Sequence, residues 1–449
     1  MKENSVSRNR TLVSKSSVAF AILIILMGSV IAYATSVAGS VANGPCLAPP
    51  SASSASGTIG IGFVTELSGA AVSDGYGARI AAELVVNQTN AAGGIDGKPI
   101  DLVVVDDRTN PQEAAKCAGA LDQQNGVVAI TGLTDLNDAQ AVQSYAEANG
   151  VPLVVSAVSS ATMSPPGSNW TVNVQPDAVG WGAAVAKYVS EAVPSAKIAL
   201  MTQNAEQQRE MSAGVRWYAS TAKNESVVFD QVYANAQFPW ATAAAAAKLS
   251  GANSVIVSWL QTAGFSESNV VEALLSAGFQ QDQIFVADAT NQVADLGITG
   301  TGIRGGTVFD GAMAQGYPNA SSFANELQPF VNGELGSNKY CGVCPTEVGP
   351  VYYYTYLGMK MIISAIHEVL SSGQALTRAD FMSAMKRAST VDAFGNTLTI
   401  GAAGLSIGHY YIVAAGPLNE SRSIYPLQLV ETIEFNPGVV PAYDLSKTA

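Results

Sequence analysis

From Thr58 onward, short runs rich in β-branched residues alternate with longer segments of helical spacing, and that rhythm restricts the fold of this 449-residue chain more than any other feature. Ile59 to Val64, Ile100 to Val105, Val127 to Thr131 and Pro152 to Ser156 read as strands. Between them, Tyr76 to Asn90 carries Ile80, Leu84 and Val85 at helical spacing, Pro111 to Gln123 opens on Asn110-Pro111, and Asn137 to Asn149 is again helical. Parallel strands need a crossover, usually a helix, so the expected class is α/β with parallel sheets covered on both faces. A second series follows Trp170. Helices at Val179 to Ala192, Gln207 to Ala222, Trp240 to Leu249 and Asn269 to Ala277 alternate with strands at Lys197 to Thr202, Val227 to Tyr233, Ser254 to Ser258 and Gln283 to Val286. Two similar lobes in tandem are therefore expected. Helices at Val348 to Leu370 and Thr377 to Ala388 precede a β-leaning tail with Tyr410 to Val413 and Leu427 to Phe435.

The first residues are of another kind. Lys2, Arg8, Arg10 and Lys15 precede an uncharged stretch, Val18 to Ala34, followed by small residues such as Ser36 and Ala38. This pattern fits a signal peptide with a cleavage site after Ala38. At 17 residues the stretch is also just long enough to span a bilayer, so residues 1–38 are a signal peptide or a membrane anchor. Positive charge ahead of the segment keeps the tail cytoplasmic, and everything after it is exported to the periplasm or the cell surface. Residues 39–57 are uncharged and rich in Gly, Pro, Ala and Ser, the composition of a flexible linker.

Acidic residues outnumber basic ones 35 to 22, for a formal charge of −13, and no basic cluster lies beyond the N-terminal tail, which argues against a nucleic-acid partner. The four cysteines, Cys46, Cys117, Cys341 and Cys344, follow the apolar segment, in an oxidising compartment. Three pairings are possible; Cys46 with Cys117 and Cys341 with Cys344 is the one expected. Zinc at Cys341 and Cys344 would want two further ligands, and the only histidines are His367 and His409. His367, in the apolar run Met361 to Leu370, reads as buried or half-buried and structural, and His409 as lying at a strand edge. Neither has a local carboxylate and nucleophile, and no phosphate-loop, zinc-protease or nucleophile-elbow motif occurs, so no catalytic residue, metal or cofactor is assigned. Gly300-Thr-Gly302-Ile-Arg-Gly305 matches the dinucleotide fingerprint by letter only. It runs into Thr307 to Asp310, which reads as a strand where a helix is required, so it is taken as a glycine-rich connection. Five glycosylation sequons, at Asn87, Asn169, Asn224, Asn319 and Asn419, are consistent with an exported surface but not diagnostic of one.

One ordered composite is more specific. Ile59-Gly-Ile-Gly-Phe-Val-Thr-Glu-Leu-Ser-Gly69 is followed by Tyr76-Gly77, then by Asn90 to Asp107 (NAAGGIDGKPIDLVVVDD) and Asn110-Pro111. It resembles the extracellular solute-binding proteins of ABC transporters of the branched-chain amino-acid (leucine/isoleucine/valine) binding type, and weaker similarity continues through Val151 to Ser156 and Leu275 to Phe279 toward residue 400. The resemblance implies a type I periplasmic binding protein fold, two Rossmann-like lobes joined by a three-strand hinge. Lobe I would be 58–172 plus 310–404, and lobe II 173–309 plus 405–449. It also implies a monomer that closes on a small polar solute and hands it to an ABC permease. Ligand contacts would fall at strand C-terminal ends: Tyr76 as the aromatic contact, Ala157 and Ser159 toward a ligand carboxylate, and Asp288 toward its ammonium group. Ser68, in a loop ahead of a helix N-terminus, is placed to meet a polar or anionic ligand. Two positions depart from the family pattern. Asp135 stands where a carboxylate-binding Ser is expected and would repel an amino-acid carboxylate, although a one-residue shift brings Thr134 there instead. Gln207 stands where a Tyr is frequent. A membrane-tethered ligand-sensing ectodomain with a signalling partner is the alternative, and an exported hydrolase ranks below it.

Overall fold

A computed structural model of the chain describes residues 46, 57–163, 168–223, 225–234, 239–259, 267–289, 302–309, 327, 349–401, 404–415 and 427–435. The chain divides into two units, Met1–Gly44 and Pro45–Ala449, and the described residues belong to the second. Expectations for residues 1–38, most of the 39–57 linker, and the Cys341 and Cys344 pair fall outside them. Among the described residues no helix is long and apolar enough to cross a membrane.

The first lobe is built on five parallel strands, β1 (Ile59–Thr65), β2 (Ile100–Asp106), β3 (Ala129–Thr131), β4 (Leu153–Val155) and β5 (Thr171–Asn173), in the order β2-β1-β3-β4-β5. All seven residues of β1 are buried, as an inner strand covered on both faces requires. The crossovers are α1 (Val72–Ala91), α2 (Pro111–Ala120) and α3 (Leu136–Asn149). Helix α2 starts where Asn110-Pro111 predicts: the Asn110 side chain accepts from the Gln112 and Glu113 N–H groups at 3.0 Å, and Pro111 occupies a position that needs no donor.

The second lobe runs α4 (Ala178–Ala192), β6 (Ala196–Gln203), α5 (Glu206–Thr221), β7 (Glu225–Tyr233), α6 (Trp240–Leu249), β8 (Ser254–Ser258), α7 (Glu267–Ser276), β9 (Ile284–Val286) and β10 (Arg304–Thr307). Two helices then return to the first lobe. Of these, α8 (Pro350–Ser371) packs on α1, and α9 (Arg378–Met385) is tied to it by Arg378, which donates to the Val127 carbonyl at 3.0 Å and pairs with Asp122 at 2.7 Å. Strands β11 (Ser389–Val391), β12 (Thr397–Ile400), β13 (Ser406–Ala415) and β14 (Leu427–Phe435) add an antiparallel flank to the second sheet, whose order is β11-β12-β13-β10-β9-β8-β6-β7 with β14 beside β13. Two chain crossings between the lobes meet where the Asn173 N–H donates to the Gly404 carbonyl at 2.8 Å, next to a parallel bridge from Asn173 to Leu405.

The α/β class and the two parallel-sheet lobes match the expectation. Three strands escaped it: β5, β11 and β12 have three or four residues each, too few to show alternation. The strand expected at Thr307 to Asp310 instead begins at Arg304, inside the glycine run. A Cβ on Gly305 would meet Ala289 Cβ at 2.5 Å, and one on Gly306 would meet Val185 Cγ2 at 2.6 Å. The glycines are thus there for close packing within and against the sheet.

Helices α4 and α5 approach even more closely. A Cβ on Gly182 would stand 1.7 Å from the Met211 carbonyl oxygen, and one on Gly214 would stand 1.9 Å from that of Val179. Cys46 is disulfide-bonded to Cys117 on α2, with Cα atoms 4.6 Å apart, closing a loop of sequence separation 71. Because both glycine contacts are with backbone, Gly182→Ala or Gly214→Ala should lower the unfolding free energy by about 3 kcal/mol or more, seen as a lower urea midpoint. Reduction of the disulfide should lower it by about 2–4 kcal/mol through the freed unfolded chain, checked by the same titration with and without reductant.

Candidate functional site

In parallel sheets every strand delivers its following loop to the same edge, and in each lobe that edge gathers the strand-to-helix loops. A direct contact joins the two edges. After β4, Ser160 Oγ donates to Glu210 Oε1 of α5 at 2.8 Å and the Ala161 N–H to Glu210 Oε2 at 3.2 Å. Nearby, Gln140 Nε2 of α3 donates to Glu206 Oε1 at 3.2 Å.

Three of the sequence-predicted residues lie beside this contact. Ala157 is buried, Ser159 donates to the Pro176 carbonyl at 2.6 Å, and Gln207 is half-buried in the first turn of α5, next to Glu206. Two more lie around the loop after β1. Ser68 donates through Oγ to Asp106 Oδ2 at 2.7 Å and through its N–H to Oδ1 at 3.1 Å. Asp135 caps α3, accepting from the Asn137 and Asp138 N–H groups at 2.8 and 3.3 Å. Its charge therefore faces a helix N-terminus, where it is stabilised. Thr134, the alternative at that position, donates to Glu66 Oε2 at 2.7 Å. Tyr76 is half-buried near the start of α1 and packs on the core, and Asp288 is buried just after β9.

The residue that organises the first edge was not singled out from sequence. Glu66, fully buried after β1, accepts from the Thr134 and Asp135 N–H groups on Oε1 at 3.1 and 2.9 Å, and from the Thr134 and Thr65 hydroxyls on Oε2 at 2.7 and 3.2 Å. Burial raises its pKa and these donors pull it down. Asp107, after β2, and Asp138, in the first turn of α3, converge on it. Burial first, then Glu66, push Asp107 up to about 8, whereas burial followed by Asp135 and Glu66 push Asp138 up to about 7. Positions 66, 107 and 138 are far apart in sequence, and only the parallel topology assembles them.

His367 corrects an expectation. Its side chain is 60% exposed and lies 3.8 Å from Asp96, because it shares the solvent face of α8 with Lys360, Ser364 and Ser371. His409 lies inside β13, opposite Glu434 on β14, and not at an outer edge. Trp259 is core, packed edge-on against Trp240. Two described cavities are remote from the joined edges. One of about 400 Å³ lies between α1 and α8, lined by Gln88, Ile95, Tyr356 and Lys360. The other, of about 430 Å³, opens at the strand starts of the second lobe, near Val193, Asn253 and Gln283.

Residues 58–416 match the family described as periplasmic binding protein. Among solved structures, an ABC transporter substrate-binding protein from Sphaerobacter thermophilus superposes with a TM-score of 0.71 at 18% identity, over 84% of this chain and 98% of that one. A solute-binding protein of an ABC transporter from Rhodopseudomonas palustris BisB5, in complex with 3,4-dihydroxybenzoic acid, gives 0.66 at 15% identity, over 85% and 99%. A branched-chain amino acid transporter substrate-binding protein from Streptococcus pneumoniae, in complex with isoleucine, gives 0.61 at 18% identity, over 83% and 99%. At these identities the likeness is one of fold. No curated protein matches the chain significantly.

The inter-lobe carboxyl supplies a test. Burial first, with Asp177 and Glu206 in support, pushes Glu210 up to about 8 against the opposing Ser160 and Ala161 donors. In the unfolded chain the group ionises near 4.5. Between these values the folded state holds the extra proton, so the stability contributed by neutral Glu210 is complete below the lower value and is lost as pH rises through the higher one. Glu210→Gln should remove that component. Denaturant titrations from pH 5 to 8 should show the variant gaining on the parent as pH rises, and parallel curves would refute the assignment.

Proposed function

The chain belongs to the periplasmic binding protein family, and from that membership we propose that it is the extracytoplasmic receptor of an ABC importer, capturing a small polar solute between its lobes and delivering it to a permease. The family's members bind solutes for transporters and are not enzymes. The observation that carries the reading is the pairing of a polar edge-to-edge contact, Ser160 with Glu210, and a backbone pivot at Asn173 and Leu405. A contact at the edges and a pivot at the crossings are the two parts of a clamp that closes by hinge bending.

The solute class follows from charge. Asp288, Asp135 and Glu206 are carboxylic acids on or next to the ligand-facing loops. A bare aromatic acid such as the one bound by the Rhodopseudomonas protein would face like charge there, whereas an amino acid or amide can present an ammonium or N–H group. Asp288 is the partner for that group. Ala157 and Ser159 line the loop after β4, with Tyr76 and Ser68 on the loop and helix after β1, and Gln207 contributes an amide in place of an aromatic ring. Asp135, engaged as a helix cap, acts mainly by its charge.

Mass spectrometry of the small molecule released on denaturation identifies the solute, and a thermal-shift panel of amino acids, amides and aromatic acids ranks the classes. A ligand that binds the native state must raise its melting temperature, and an amine- or amide-bearing solute is expected to do so where benzoates do not. Asp288→Asn should weaken that solute at least tenfold, about 1.4 kcal/mol, by calorimetric titration. If no solute in the panel stabilises the fold, the receptor reading fails.

A further inference from the structure

We propose that Glu66, Asp107 and Asp138 form a binding site for a divalent cation of the calcium class, held by carboxylate oxygens beneath the ligand-facing loops of the first lobe. One oxygen from each residue lies within 4.8 Å of the other two, and all three residues are fully buried. Such proximity alone would only make an acidic cluster. The further observation is that both carboxylate oxygens of Asp138, and Oδ2 of Asp107, have no hydrogen-bond partner. Every charged group that acts on Asp107 or Asp138 is another carboxylate. A buried carboxylate with neither donor nor counter-charge costs several kcal/mol, and a cation at the convergence point supplies the missing partner of Asp107 and Asp138 and a counter-charge for all three.

The donor set selects the ion. With oxygen ligands alone and no thiolate or imidazole, the site suits a hard cation and not zinc or copper. Calcium bonds of about 2.3–2.6 Å place neighbouring and opposing ligand oxygens roughly 3.3–5 Å apart, which accommodates the observed spread. Magnesium, at about 2.0–2.1 Å, needs a tighter and near-octahedral set. Glu66 can take part although its oxygens already accept hydrogen bonds, because the Thr65 hydroxyl, 3.2 Å from Oε2, also lies 3.4 Å from the Gly75 carbonyl and can turn toward it. The ligands come from the ends of β1 and β2 and the start of α3, so the ion would pin three connections at one point. Asp135 touches both sets, through its N–H to Glu66 and its carboxylate to the Asp138 N–H, but the test of the ion needs no solute and reads the two proposals apart.

The test uses the full chain stripped with EDTA and titrated calorimetrically with CaCl2 or MgCl2, with melting temperature read in parallel. Saturable one-to-one calcium binding is expected, with a rise in melting temperature larger than magnesium gives. Asp138→Asn and Asp107→Asn should each weaken calcium at least tenfold. Absence of both heat and thermal shift for the stripped parent at about 5 mM calcium, above the range of the weakest protein calcium sites, overturns the proposal whatever the variants do. Binding undiminished in both variants also overturns it, since the ion would then lie on surface acids.

Discussion

The burial on both faces of the inner parallel strands of two sheets is the constraint from which the other features follow. Parallel pairing requires a crossover for every strand, and each crossover leaves from the same edge of its sheet, so the polar loops collect in one place. Covering helices must then sit close to the strands and to one another. Gly182 and Gly214 allow α4 and α5 to meet backbone to backbone, Gly306 lets the sheet nestle under Trp181 and Val185, and Gly305 makes room for Ala289 and Val286. The acids at the loop-bearing edges are held by this framework, and none of them belongs to a sequence motif for acid chemistry.

Those edges concentrate ionisable groups in surroundings that disfavour charge. Glu66, Asp107 and Asp138 converge in the first lobe, and Glu210 joins the two lobes with Asp177 near it. Perturbed groups gather where a protein binds or switches, and here they lie along the edges that carry the strand-to-helix loops. Asp135 illustrates how a residue read as a specificity change can also have a plain structural task, since its carboxylate closes the N-terminus of α3.

Much of the architecture was legible because its signals are local. Asn110-Pro111 announces a helix start through one side chain and one ring, and β1, β8 and α6 carry their type in composition. What escaped was either too short or not local. Strands β5, β11 and β12 exist because neighbours pair with them. His367 was misjudged from the apolar letters around it, whereas its spacing from Lys360 and Ser364 places it on the wet face. Ser159 and Asp135 were named as ligand contacts by position, whereas the hydrogen bonds that engage them, to the Pro176 carbonyl and from the α3 N-terminus, were not foreseen. The gathering of Glu66, Asp107 and Asp138 depends on which strand lies beside which, and no spacing along the chain encodes that.

The sheet order also determines how the chain meets copies of itself. Among the described residues the long outer strands are β2, β7 and β14, each with a neighbouring strand on one side only. Strand β7 turns Ser226, Asp230 and Gln231 to solvent, with Asp230 held by Arg216 at 2.6 Å, and β2 is bounded by Asp101 and Asp106. Strand β14, nine residues long, carries Glu431 and Glu434, and the remaining described outer strands, β5 and β11, are three residues long. Short ends and acidic margins discourage an intruding strand from adding to a sheet. In a chain of formal charge −13 they also bring like charges together whenever two edges approach, so the arrangement resists fibrous self-assembly.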